Sequence, residues 1–277
     1  MERILVLVDN KGLQRATMEF ACYLANLTDS RVSGVLLHTE KLSRAQEPAS
    51  YSKLHSSDHK EAARSAREQI QNDDETRAAF KRFCDNHQPG KEPEMVDAYT
   101  LEDVLIQTRF ADLILINADT GATSETENLP SRVAAALLRE AECPVLVAPL
   151  TFKEINQIVF TYDGSESAVC AIKQFTHLFR QLKELPVTFL EVKDDYKEKI
   201  DFRESITSYL HDHYKYVTSL VLKGRPEDEL FSYFLEKKDV LIVMGSFGRK
   251  MFSSIFHRST ADLLLRTTSL PIFISHK

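Results

Sequence analysis

The sequence lacks the features that mark several common classes of protein. Its four cysteines are scattered without a C-x-x-C pair, which is typical of buried thiols in a reducing cytoplasm and argues against a disulfide framework or a cysteine-based metal site. No apolar run is long enough to span a bilayer, and the first residues lead into a predicted strand without the apolar segment of a signal peptide. Net charge is −6, so attraction to nucleic acid or to an anionic membrane is not expected. We therefore expect a cytoplasmic protein without nucleic-acid or membrane partners.

What the sequence does contain is a regular alternation of strands and helices. Its 277 residues are 43% apolar and 27% charged, as in globular proteins, and are enough for two domains. Strands are predicted at residues 4–8, 32–37, 95–96, 113–116, 144–147, 158–161, 187–192, 220–222, 240–244 and 271–274. Helices are predicted at residues 18–25, 61–87, 101–108, 134–138, 168–182, 206–210 and 230–234. This alternation predicts an α/β fold with open parallel sheets covered by helices on both faces.

The alternation runs through the chain twice. Asp163 follows Asp9 by 154 positions, and each aspartate ends an apolar strand. Gly245 follows Asn117 by only 128 positions, so the first copy contains an insertion. The insertion is placed in the polar stretch near residues 40–65, which we interpret as a loop that leads into a charged surface helix. We predict two tandem domains, at residues 1–150 and 151–277.

The last forty or so residues contain the strongest functional pattern. An apolar run at residues 240–244 stops at Gly245, and Gly248 follows within the same loop. Ser259 and Thr260 stand before a stripe of apolar residues with helical spacing, in the position of N-cap residues. A strand, a glycine-containing loop and a helix N-terminus together form the geometry in which main-chain N–H groups and the helix dipole attract a phosphate.

This segment resembles the nucleotide loop of the universal stress protein family. The family pattern is Gly-x2-Gly-x9-Gly-Ser/Thr, and the chain has Gly245-x2-Gly248-x9-Arg258-Ser259, with arginine in place of the third glycine. The resemblance covers both copies and implies two Rossmann-like domains that pack as an internal pseudo-dimer. It also implies a ligand, ATP or another adenine nucleotide, with Mg²⁺ able to accompany its phosphates.

The resemblance assigns roles to residues of the second copy. Thr161, Tyr162 and Asp163 would lie beside adenine and ribose, with Asp163 accepting a hydrogen bond from a ribose hydroxyl, and Val192 would flank the base. The residues that would line the ribose and phosphates are Met244, Gly245, Gly248, Ser259 and Thr260. Arg258 could either crowd a phosphate or contribute charge to it.

The first copy departs from the pattern. It has Asn117 where the second copy has Gly245, and Thr120 where the second copy has Gly248. Its loop also carries the acidic residues Asp119, Glu125 and Glu127, which would repel a phosphate. We expect the first copy to bind no nucleotide.

Two classes of function are compatible with these patterns. One is a stress-response signalling module that binds an adenine nucleotide in its C-terminal half; the other is an interaction scaffold of the same fold without nucleotide. No nucleophile–base arrangement is evident, so at most weak ATP hydrolysis is expected. Each copy ends in a proline-led apolar strand, and an exposed apolar edge favours pairing. The resemblance to the universal stress proteins, whose final strands pair across a two-fold axis, implies that these two strands pair with each other inside the chain. A homodimer of whole chains would be compatible with this pairing.

Overall fold

The computed structural model describes residues 1–9, 11–38, 58–88, 90–122, 124, 127–193, 202–245, 264 and 269–275. Within these residues, ten strands form one continuous sheet and seven α-helices lie on its faces. No described helix combines the length and the apolar character that crossing a membrane requires.

The first half of the sheet consists of β1 (Arg3–Val8), β2 (Arg31–Leu37), β3 (Glu94–Ala98), β4 (Leu113–Ile116) and β5 (Val145–Val147). The second half consists of β6 (Gln157–Tyr162), β7 (Pro186–Lys193), β8 (Tyr216–Lys223), β9 (Val240–Gly245) and β10 (Ile272–Ser275). The helices are α1 (Arg15–Thr28), α2 (Asp58–His87), α3 (Leu101–Thr108), α4 (Arg132–Glu140), α5 (Glu166–Leu178), α6 (Arg203–His213) and α7 (Pro226–Leu235), and a 3-10 turn follows α5 at Arg180–Leu182.

The strand order shows the internal repeat directly. It runs β3-β2-β1-β4-β5-β10-β9-β6-β7-β8, so each half has the same order when read from the centre outwards. Neighbouring strands are parallel everywhere except at the centre, where β5 and β10 pair antiparallel with Phe273 opposite Leu146. The predicted pairing of the two proline-led strands is therefore confirmed.

Helices cover both faces of the sheet, as the apolar strands require. The central strands are buried along nearly their whole length, which is why they read as continuous apolar runs. One core lies beneath α1, the end of α2, α5 and α6, and the other lies beneath α3, α4 and α7. Thr100, Ser131 and Ser165 cap α3, α4 and α5 through side-chain oxygens that accept main-chain N–H groups, as expected for residues of these types.

The inserted helix α2 differs in one respect from the sequence-based prediction of a surface helix. Its C-terminal part buries Phe80 and Cys84 against α1 and the sheet, although most of the side chains between residues 68 and 87 are at least partly exposed. The polar stretch at residues 39–57 lies outside the described residues.

Candidate functional site

The carboxyl ends of β6, β7 and β9 lie side by side at one edge of the second half. Strand β6 pairs with β9 on one side and with β7 on the other, and the order reverses between β6 and β9. Such a reversal point is where open α/β sheets commonly bind ligands. Of the residues predicted to form the site, Thr161, Val192 and Met244 lie at these strand ends.

Two residues at this edge use their side chains within the protein. The Thr161 hydroxyl donates to the main-chain oxygen of Val243 at 3.2 Å, which links β6 to β9. Tyr162 is 3% exposed and its ring packs against Phe189 in the core. A molecule bound at this edge would therefore contact Tyr162 mainly through its main chain.

Asp163 shapes the turn between β6 and α5. Its Oδ1 accepts the main-chain N–H of Ser165 at 2.9 Å, and the Ser165 hydroxyl oxygen accepts the N–H of Ala168 at 3.1 Å. The turn therefore holds the partly buried Asp163 carboxylate at the reversal point while it starts the helix.

Gly245 is required here by the close approach of a helix. A Cβ at this position would lie 2.6 Å from the carbonyl carbon of Ser167 and 2.8 Å from its Oγ. The φ angle of Gly245 is not positive, so the constraint is space and not backbone conformation. The first turn of α5 therefore packs directly on the end of β9, a contact that the sequence pattern does not reveal.

Gly248, Arg258, Ser259 and Thr260 lie outside the described residues. The described part of the site consists of the Asp163 turn, the end of β7 and the end of β9.

The first half contains the same turn, but there the loop after β4 covers the carboxyl ends of the strands. Asp9 corresponds to Asp163, and its Oδ1 likewise accepts the N–H of the residue two positions later, Lys11, at 3.0 Å. Its Oδ2 accepts the main-chain N–H of Gly121 at 2.7 Å. Gly121 has φ +71° and no room for a Cβ beside Val133, so glycine is needed for this contact. The main chain of the loop after β4 thus forms a hydrogen bond with the second oxygen of the Asp9 carboxylate.

Further hydrogen bonds hold that loop in place. The Thr120 hydroxyl accepts the N–H of Asn117 at 2.8 Å, and the Ser131 hydroxyl donates to the Thr120 carbonyl oxygen. Thr17 on α1 donates to the Asn117 side-chain oxygen at 2.7 Å. The cavity that remains between this loop, β1 and α1 has a volume of about 10 Å³. That is room for about one water molecule.

The acidic side chains of this loop that the structure describes have partners within the chain. Of the three residues expected to repel a phosphate, Asp119 pairs through Oδ2 with Lys11 Nζ at 2.9 Å, and Glu127 accepts the main-chain N–H of Arg132 at 2.9 Å. Glu125 lies outside the described residues. The loop also takes up space at this edge, a feature that residue types alone do not indicate.

Among the described residues, no group of three or more His, Cys, Asp or Glu side chains is arranged to hold an ion. Mg²⁺ usually binds through one or two carboxylates together with water and substrate phosphates. Asp163 offers one carboxylate of this kind at the carboxyl end of β6.

Comparison with known proteins gives a consistent picture. No protein-family profile matches the chain. The universal stress protein Slr1230 of Synechocystis is 27% identical over 139 residues, which cover 49% of this chain and 48% of that protein, so the chain spans about half the length of this curated relative.

Solved structures of other proteins match nearly the whole chain. A universal stress protein from Archaeoglobus fulgidus superposes with a TM-score of 0.66 at 13% identity, covering 98% of both chains. A structure from Pseudomonas aeruginosa assigned to the universal stress proteins superposes with a TM-score of 0.58 at 17% identity, covering 100% of this chain and 93% of the other. These superpositions establish the fold over both halves.

Proposed function

Because the chain is a tandem, two-domain member of the universal stress protein family, we propose that it is a stress-response module that binds one adenine nucleotide. The nucleotide, ATP in the first instance, occupies the C-terminal half, and the N-terminal half binds none. The module reports its nucleotide state to protein partners.

The main support for this proposal is the difference between two equivalent aspartates. Asp9 and Asp163 make the same turn through Oδ1, but Oδ2 of Asp9 is occupied by Gly121 of its own chain. In the proposed complex, Asp163 accepts a hydrogen bond from a ribose hydroxyl. The bound ribose thus plays the role at Asp163 that the Gly121 main chain plays at Asp9.

The remaining contacts follow from the strand ends and from the loop sequence. Val192 flanks the base, and the ends of β6 and β9 line the ribose through main-chain atoms. Gly248, Ser259 and Thr260 provide main-chain and hydroxyl donors to the phosphates, and Arg258 adds positive charge. Mg²⁺ accompanies the phosphates, with Asp163 as a carboxylate within the same edge.

The alternative is a scaffold of the same fold that binds no nucleotide. The packing of α5 on Gly245 is compatible with this alternative, because it gives one glycine of the motif a structural use that needs no nucleotide. Nucleotide binding is therefore the quantity to measure first.

The test is isothermal titration of the full-length chain with ATP, in the presence and absence of Mg²⁺. Mass spectrometry of the purified protein would identify any nucleotide that is retained from the cell. We expect one site per chain. Two equivalent sites would contradict the proposed closure of the first half. The absence of binding under both conditions would contradict nucleotide binding and favour the scaffold function.

A matched pair of variants localises the site. Asp163→Asn keeps an oxygen for the Ser165 N–H but removes the charge, and it should weaken ATP binding by about 1.5–3 kcal/mol if the carboxylate accepts from ribose. Asp9→Asn makes the same chemical change at the closed edge and should leave affinity and stoichiometry unchanged. Equal effects of the two variants would place the nucleotide elsewhere.

A further inference from the structure

A histidine at the end of β2 lies next to the inserted helix. Along β2 the side chains of Val32 and Leu36 face the core beneath α1 and α2, and His38 continues this alternation just after the strand. His38 is 9% exposed, and its main-chain N–H donates to the Ala98 carbonyl oxygen of β3 at 2.9 Å. The imidazole is therefore held at the edge of the sheet, on the face that α2 covers.

Both ring nitrogens of His38 face an aspartate. Nε2 lies 2.8 Å from Oδ1 of Asp97 near the end of β3, and Nδ1 lies 3.4 Å from Oδ2 of Asp73 on α2. The Tyr99 ring stacks on the imidazole, with 4.6 Å between the ring centroids. A neutral imidazole has one N–H and presents a lone pair to one of the two carboxylates, whereas the imidazolium offers an N–H to both. The geometry therefore matches the protonated form of histidine.

The charges around the ring balance when His38 is protonated. Arg77 on α2 donates through Nη1 to the Met95 carbonyl oxygen at 3.1 Å and pairs through Nη2 with Asp97. One arginine thus stands against two aspartates, and the imidazolium supplies the second positive charge. With neutral His38, the group keeps one net negative charge in a site that is partly shielded from water.

Charged residues on the other neighbouring elements have partners elsewhere. Asp9 and Lys11, which follow β1, bond to the loop after β4. On α1, Arg15 pairs with Glu19 at 2.7 Å. Of the described charged side chains, those that contact the His38 ring or its partners are therefore the two aspartates and the arginine.

The second half has a different residue at the equivalent position. Counted from the equivalent aspartates Asp9 and Asp163 along the sheet register, His38 corresponds to Lys193. Lys193 is 7% exposed, and its Nζ lies 3.8 Å from Oε1 of Glu191. Between about pH 5 and 8, histidine ordinarily changes its charge and lysine does not. The half that contains the inserted helix therefore has the pH-sensitive residue at this position.

We propose that His38 is a pH-sensitive attachment between the inserted helix α2 and the edge of the sheet. At the acidic end of the range, the imidazolium binds Asp73 of α2 and Asp97 of β3 at once. As the pH rises, His38 keeps one N–H for the closer carboxylate, Asp97, and presents a lone pair to Asp73. The attachment is therefore strongest below neutral pH and weakens as the pH rises. It does not depend on nucleotide binding.

The test is hydrogen exchange of the full-length protein at about pH 5.5 and about pH 8, which bracket the ordinary titration of histidine. Mass spectrometry of peptides gives protection factors, corrected for the intrinsic pH dependence of exchange. For peptides from residues 68–87 we expect protection to fall by about twofold to fivefold at the higher pH, the size that a partly exposed ion pair supplies. Peptides from α5 should not change. Unchanged protection of α2, or an equal fall in α5, would contradict the proposal.

Two substitutions test the ring and the second carboxylate separately. His38→Gln should remove the fall, because no group at this position then titrates. Asp73→Asn should also remove it, because Asp97 lies on the sheet, like His38, and the ring then no longer links α2 to the sheet. Asp73 is partly exposed, so this variant decides the question if His38→Gln does not fold.

His87→Gln is the matched control. His87 is a second histidine on α2, and its Nδ1 lies 2.8 Å from the Phe83 carbonyl oxygen within the same helix. This variant should keep the fall in protection. A fall that persists in Asp73→Asn, or that disappears in His87→Gln, would overturn the assignment to His38.

Discussion

The carboxylate of Asp9 accepts the main-chain N–H of Gly121 at 2.7 Å, although 112 residues separate them in sequence. This hydrogen bond ties the end of β1 to the loop after β4, at the point where strand order reverses in the first half. In the second half, Asp163 makes the same turn as Asp9. Both halves therefore share the turn. In the first half, the main chain of the loop after β4 also donates to the aspartate carboxylate.

This relationship predicts a stability loss for Asp9→Ala. The substitution removes the acceptor for the Gly121 N–H in a site that is 6% exposed, and an unsatisfied buried donor costs about 1–3 kcal/mol. The measurement is urea unfolding followed by circular dichroism. Asp119→Ala is the control, because it removes a partly exposed ion pair with Lys11 and should cost no more than about 1 kcal/mol. Equal losses for the two variants would count against the role of the Asp9–Gly121 bond.

A second prediction concerns the contact between Gly245 and α5. In Gly245→Ala the new Cβ would overlap the main chain of Ser167, so α5 must shift, and overpacking of this kind costs about 1–3 kcal/mol. The shift should also lower ATP affinity if the nucleotide binds at this edge. Urea unfolding and titration calorimetry measure the two effects.

Gly12→Ala separates steric overlap from backbone strain. Gly12 has φ +83° and nothing within 4 Å of an added Cβ, so the variant should lose about 1–2 kcal/mol through the left-handed conformation alone. It lies in the first half and should leave ATP affinity unchanged. A Gly245→Ala protein as stable as the parent would contradict the packing argument.

The junction between the two halves gives a third prediction. Phe273 on β10 is fully buried opposite Leu146 of β5, and its ring lies 5.2 Å from that of Phe175 in an edge-to-face arrangement. Phe273→Ala should lower the free energy of unfolding by roughly 3–5 kcal/mol, as for other large-to-small changes of a buried aromatic residue. Phe110→Ala is the control, because Phe110 is 68% exposed and should change stability by no more than about 0.5 kcal/mol. A small loss for Phe273→Ala would mean that the junction repacks.

The sequence predicted the fold well because the central strands are buried on both faces. The apolar runs of β4 and β9 leave little alternative to a strand, and the capping positions before α3 and α5 follow residue preferences that act locally. The edge strand β8 was predicted as residues 220–222 but spans Tyr216–Lys223, because its exposed polar residues interrupt the apolar pattern.

The candidate site was harder to predict because it depends on distances between segments that are remote in sequence. Asn117 and Thr120 marked the first copy as different, but the contact between Asp9 and Gly121 that closes it cannot be read from residue types. The pairing of Lys11 with Asp119 was likewise not predicted.

The loop after β9 provides a fourth prediction. If the second half binds ATP, Gly248→Val should abolish binding, because a β-branched side chain restricts the backbone and takes the space through which a phosphate approaches. Strand β9 ends before this residue, so circular dichroism and urea unfolding should match those of the parent protein. Unchanged ATP affinity would remove Gly248 from the site.

The last prediction uses Arg258, which stands where the family pattern has glycine. If the arginine contacts a phosphate, Arg258→Gly should weaken ATP binding by about 1.5–3 kcal/mol, which is roughly a tenfold to hundredfold rise in Kd. We expect this result, because the sequence predicts a helix N-terminus at this position, which would favour an anion. Arg258→Lys should keep more of the affinity, since it keeps the charge but loses the planar pair of donors. Isothermal titration of the three proteins at matched salt measures the difference. Tighter binding by Arg258→Gly would show that the arginine obstructs the phosphate.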